Sequence, residues 1–113
     1  MRKGEIWLIN LDPTIGAEIR KTRPAVIVSE DAIGTLPLRV IVPLTDWKDQ
    51  YSIAPWMILI LPDKQNGLAK PSGADAFQIR SVSQEHFVQR IGSLSNDQIG
   101  QILNAVQIVI GAA

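Results

Sequence analysis

The chain has 113 residues, 46% of them apolar and 19% charged, with 11 basic and 11 acidic side chains and no cysteine. That length supports one domain around a single core, and the composition is that of a folded chain, which excludes intrinsic disorder. Zero formal charge excludes a global field as the source of any nucleic-acid affinity, and the missing cysteines exclude disulfides, thiolate zinc sites and cysteine nucleophiles.

The single histidine, His86, stands without clustered carboxylates, so neither a metal nor another cofactor is expected. MRKGE at the start turns acidic at once, and no window reaches the roughly 18 apolar residues of a membrane span. The chain reads as cytoplasmic, unprocessed and free of membrane segments.

EIWLINL, residues 5–11, is short, β-branched and aromatic, and Asp12-Pro13 stops it, so a first strand is predicted there. A dozen residues follow, 12–23, with Gly16 as a pivot; connections of that length in a small domain are usually functional. The next strands are predicted at 25–28 and 39–44. Like the first, they carry apolar residues on both faces, so each face must meet core, helix or a second copy of the chain. WMILIL, residues 56–61, is a further strand closed by Pro62-Asp63, and Asn66-Gly67 signals a tight turn.

ADAFQIRSVS, residues 74–83, is predicted as one longer strand, with a sixth around 88–91 after the QEHF turn. Ser95 and Gln98 form a capping box, and Ile99, Ile102, Leu103, Val106 and Ile110 recur at helical spacing until Gly111. Five or six short strands and one terminal helix predict a mainly β domain with α: a strongly bent sheet or half-open barrel with the helix packed on it.

Within IRKTRPAVIVS, Pro24 pushes Arg23 out of the helical region and holds it extended at the mouth of a strand. A guanidinium on fixed backbone is a planar fork of donors suited to phosphate, and Arg20 and Lys21 add charge to the same approach. Judged on charge alone, a solvated loop in which Arg23 pairs with Glu18 or Asp12 is the simpler reading.

The wider pattern decides otherwise. GEIWLINLDPTIGAEIRKTRPAVIVS, residues 4–29, closely resembles the amino-terminal signature of the MazF/PemK (Kid) toxins: Leu11-Asp12-Pro13, then Gly16-x-Glu18, then Arg23-Pro24 leading into a strand. The likeness continues through VIVPLT, ADAFQIRSV and the terminal helix, so it spans nearly the whole chain as a single domain. It implies a small SH3-like barrel, of the type shared by CcdB, Kid and MazF, with a carboxy-terminal helix and paired as a homodimer. It also implies the toxin of a type II toxin-antitoxin system: a ribosome-independent, metal-free endoribonuclease cutting single-stranded RNA at short sequences, silenced by the tail of a cognate antitoxin. Arg23 stands where the family has its essential arginine, Thr45 where it has an essential threonine, and Glu18 at a loop glutamate implicated in activity.

Chemistry accommodates those roles. In metal-free cleavage the ribose 2'-hydroxyl attacks its own phosphorus and leaves a 2',3'-cyclic phosphate and a 5'-hydroxyl, so the protein has mainly to orient the sugar and neutralise developing charge. One preorganised donor at such charge is worth about 3 kcal/mol, a hundredfold or more in rate. Arg23 suits that task and cannot be the general base, because a guanidinium holds its proton at neutral pH. Thr45 can donate to a phosphate oxygen or hold the 2'-hydroxyl.

The pattern also departs from the family. Some members carry an acidic residue directly before the strand glutamine and an arginine two positions earlier, used as an acid/base pair; here those positions are Phe77 and Asp75. Strand alternation predicts Asp75 and Phe77 on one face and Gln78 and Arg80 on the other, the latter two lining an RNA groove. The general base stays open between Glu18 and Asp75. Trp47, in the polar run TDWKDQYS, is the candidate for base stacking, whereas Trp56 is assigned to core or dimer seam, and His86 has no role. Two other readings compete: a CcdB-like gyrase poison, which binds without hydrolysis, and an inactive homologue that only holds RNA or antitoxin.

Overall fold

The computed structural model describes residues 1–10 and 22–112. In chain order the strands are β1 (Glu5–Asn10), β2 (Thr22–Ile27), β3 (Leu38–Asp46), β4 (Met57–Ile60), β5 (Ser72–Asp75), β6 (Arg80–Ser83) and β7 (Phe87–Ser93), and the helix α1 (Asn96–Ile110) follows. Every strand pairing is antiparallel. The order across the sheet is β4-β5-β3-β2-β1-β7, with β6 also on β3. The two end strands do not meet, so the bent sheet stays open, as the half-open barrel requires.

The two-sided apolar strands have their explanation in this packing. Register aligns Ile6, Val26 and Val42 on one face, where with Leu44 and Ile60 they meet Ile99, Ile102, Ala105 and Val106 of α1. Ile9, Ala25, Ile27 and Ile41 form a second cluster with Val82, covered by Trp7 and Phe87, whose rings meet edge to face at 5.7 Å. Ile102 is wholly buried, and burying such a side chain stabilises by about 1.5–3 kcal/mol. The helix begins on the expected box: the Ser95 hydroxyl accepts from Gln98 N at 3.2 Å, and Ser95 N donates to the Gln98 side chain at 3.0 Å. It ends at Gly111, whose φ of 71° is the left-handed cap that glycine adopts without strain.

One element differs from the sequence reading. Residues 74–83 are not a single strand: β5 and β6 both pair with β3, but three extra residues, Ala76–Gln78, form a 3-10 turn between them. From Leu44 to Ile41 β3 advances three residues while its partner advances six, from Ala74 to Arg80. The Asp75 side chain induces the break, its Oδ1 accepting from Phe77 N at 3.1 Å, a local bond that competes with the ladder. The expected alternation therefore fails: Asp75 and Phe77 do not share a strand face, nor do Gln78 and Arg80.

Asn66-Gly67 is a tight turn, as its sequence signals, and it is buried against β7. The Asn66 amide donates to Leu61 O at 2.8 Å and accepts from Asp63 N and Leu68 N at 3.1 and 3.0 Å. A β-carbon on Gly92 would collide with the Asn66 backbone, so glycine lets the turn seat. Among the described residues no helix is long and apolar enough to cross a membrane.

Candidate active site

A proline stands at the edge of the site. The β2–β3 ladder runs from Ile27↔Ile41 to Ala25↔Pro43 and stops. Pro24 has no amide hydrogen, so the ladder loses a donor at the next position, where Pro24 faces Leu44. Beyond the Ala25↔Pro43 pair the strands take different partners: Thr22, Arg23 and Pro24 pair with β1, while Leu44, Thr45 and Asp46 pair with β5. The wedge between them is an open cleft of about 450 Å³ lined by Thr22, Arg23, Pro24, Leu44, Thr45, Asp46 and Ser72.

This cleft brings together the two residues singled out as essential. Arg23 and Thr45 each stand two residues past the last paired positions, Ala25 and Pro43. Arg23 is exposed, and among the described residues no carboxylate pairs with it. Arg23 and Thr45 both line the cleft. Glu18, Arg20 and Lys21 lie outside the described residues, as do Asp12 and the rest of the loop before β2.

Trp47 lies two residues past Thr45 and is half-buried. Its backbone N donates to Pro71 O at 3.0 Å, and its ring lies over Gly73, where a β-carbon would stand 3.2 Å from Cε3. The Tyr51 ring meets it edge to face at 5.7 Å. Thus the aromatic ring is fixed on β5 directly beside the Thr45↔Gly73 pair. Trp56 is instead at the surface, edge to face with exposed Phe77 at 5.7 Å.

The other nominated residues are not brought to the cleft. Asp75 is engaged by the Phe77 amide, Gln78 sits in the 3-10 turn, and Arg80 begins β6, exposed, opposite Ile41. His86 is exposed at the end of the short turn Gln84–His86. Three contributors escaped sequence reasoning: Asp46, Ser72 and Lys70. Asp46 Oδ2 and Lys70 Nζ form an ion pair at 3.1 Å, and the buried Ser72 hydroxyl donates to Lys70 O at 3.1 Å. Asp46 follows Thr45 in sequence, which was the available signal; Ser72 and Lys70 reach the site only through the β3–β5 register. Among the described residues no group of three or more His, Asp or Glu side chains could hold a metal ion.

Comparison with known proteins bears on the family and the fold. The family profile described as PemK-like, MazF-like toxin of type II toxin-antitoxin system matches residues 2–110. The chain is 34% identical over 114 aligned residues to Endoribonuclease MazF9 of Mycobacterium tuberculosis, covering 96% of this chain and 94% of that protein. It is 50% identical to Endoribonuclease PemK of Escherichia coli over 46 residues, 40% of this chain and 35% of PemK. Among solved structures, a MazE-MazF crystal structure from Deinococcus radiodurans superposes with a TM-score of 0.80 at 21% identity, covering 100% of this chain and 97% of that one. At that identity the likeness establishes the fold.

Proposed function

The chain belongs to the family of PemK-like, MazF-like toxins of type II toxin-antitoxin systems, and from that premise we propose that it is an endoribonuclease acting on single-stranded RNA without a metal. The single observation that carries this reading is the cleft between β2 and β3, which Arg23 and Thr45 line together, Arg23 exposed and without a carboxylate partner among the described residues. Arg23 donates to the phosphate oxygens and stabilises the charge that builds on them as the 2'-oxygen attacks. Thr45 holds the ribose hydroxyl or a phosphate oxygen, which converts a rare in-line geometry into the bound one. Trp47 offers a ring to an adjacent base, and a base stacked on an aromatic side chain contributes about 1–3 kcal/mol to binding.

The chain pairs as a homodimer and is held inactive by an antitoxin. Exposed apolar side chains on β4, the 76–78 turn and α1, among them Leu59, Phe77, Ile108 and Ile110, support an apolar seam. The antitoxin reading is supported by relatives crystallised as MazE-MazF complexes; an acidic, disordered tail with apolar anchors suits the cationic approach at Arg20, Lys21 and Arg23.

The test is incubation of the purified protein with a long single-stranded RNA in EDTA, followed by mapping of the cut ends. Discrete cuts ending in 2',3'-cyclic phosphate and 5'-hydroxyl are expected, and they define the recognition sequence. RNA left intact across varied substrates would refute the reading.

A further inference from the structure

The cleft carries a proton acceptor next to its phosphate-facing arginine. Asp46 is the one carboxylate among the described lining residues. Its Oδ2 is paired with Lys70 at 3.1 Å, both side chains are 66% exposed, and nothing among the described residues bonds to Oδ1. The Lys70 backbone is tied to the cleft wall through Ser72. A lone carboxylate would repel the phosphates that an RNA-binding cleft must admit. Lys70 offsets that charge while leaving one oxygen of Asp46 open to substrate. Asp75, by contrast, already accepts from the Phe77 amide and does not line the cleft.

We propose that Asp46 is the general base of the cleavage and Lys70 the residue that positions it. This rests on the endoribonuclease reading above. Oδ1 takes the proton of the ribose 2'-hydroxyl as the 2'-oxygen bonds to phosphorus. The bond from phosphorus to the 5'-oxygen breaks, and that oxygen leaves with a proton from water. The hydroxide so formed takes the proton from Asp46, which restores the carboxylate and leaves a 2',3'-cyclic phosphate. Arg23 stabilises the phosphorane throughout, so the two charged groups divide the work: one moves a proton, the other holds charge.

Single-turnover cleavage of an RNA carrying one cut site, and affinity for the same RNA with a 2'-deoxyribose at that site, are measured for the parent, Asp46→Asn, Asp46→Glu, Asp46→Ala and Lys70→Ala. Removing a positioned base lowers rates about 10²- to 10⁴-fold; Asp46→Asn falls in that range while its affinity for the uncleavable RNA does not fall. Asp46→Glu keeps part of the rate, added acetate restores part of it to Asp46→Ala, and Lys70→Ala loses less than Asp46→Asn. Cutting by parent and Asp46→Asn at equal rates overturns the assignment, as does a shift of Asp46→Asn to new cut sequences at undiminished rate, which makes Asp46 a reader of bases. Intact RNA with the parent protein overturns the endoribonuclease reading and this one with it.

Discussion

Gly73→Ala separates the aromatic platform from the rest of the fold. Gly73 lies between Thr45 and Leu59 in the ladders of β5, and its φ is not in the left-handed region, so alanine is compatible with the backbone. The added β-carbon would stand 2.8 Å from Met57 Cε and 3.2 Å from Trp47 Cε3. The Met57 methyl is the end of a flexible chain and moves aside cheaply; the indole, braced by Tyr51, has to tilt or lift off the strand. Overpacking of this kind costs about 1–3 kcal/mol, and removing a strand glycine returns about 0.5–1 kcal/mol. The net loss of stability is about 0–2.5 kcal/mol, up to roughly 10 °C in melting temperature. RNA binding is more sensitive. If Trp47 stacks on a base, displacing it forfeits up to the stacking energy of about 1–3 kcal/mol, which weakens binding by as much as roughly 5- to 150-fold. Fluorescence anisotropy with a labelled, 2'-deoxy-substituted RNA, run beside a thermal melt and a Trp47→Ala control, measures both. A folded Gly73→Ala protein and a folded Trp47→Ala protein that both bind RNA as tightly as the parent would refute the stacking role.

Ile102→Ala leaves a cavity between α1 and the sheet and should cost about 2–5 kcal/mol, read by urea denaturation; a smaller loss would mean that the helix is not fixed through this residue. Glu5 is desolvated, which raises its pKa, but the Trp7 indole, the Arg2 amide, the terminal ammonium and Arg90 outweigh that and hold it below the usual carboxylate value. A depressed folded-state pKa means that its contribution is present above the unfolded value near 4.5 and is lost as pH falls through the lower folded one. Glu5→Gln should therefore melt lower than the parent at pH 7, with the gap closing in acid; a gap independent of pH would contradict this.

The sequence made the architecture legible wherever the period of burial was clear. The helix, its capping box and its glycine stop stand where 3.6-residue spacing and Ser95 place them, and β1 to β3 fall where short β-branched runs predict. Residues 74–83 failed because a local side-chain bond, Asp75 to the Phe77 amide, breaks a segment whose composition reads as continuous strand. That break removed the shared face argued for Gln78 and Arg80. Arg23 and Thr45 could be nominated from motif, but their sharing of one cleft depends on where the β2–β3 pairing ends, which no single segment displays. Lys70 and Ser72 are invisible for the same reason, since a β3–β5 pairing some 25 residues apart brings them to Asp46. Asp46 was adjacent to a nominated residue, and only the geometry of the cleft distinguishes it from an ordinary surface acid.

The most direct test of the central claim is the single-turnover cleavage rate of Arg23→Ala against the parent, with the affinity of each for an uncleavable RNA measured in parallel. Loss of one preorganised donor at the phosphorane predicts a fall of a hundredfold or more, about 3 kcal/mol, with a much smaller loss of affinity and an unchanged melt. A folded Arg23→Ala protein that cuts the same sites at the parent's rate would contradict the account, because the cleft would then not be where the chemistry happens.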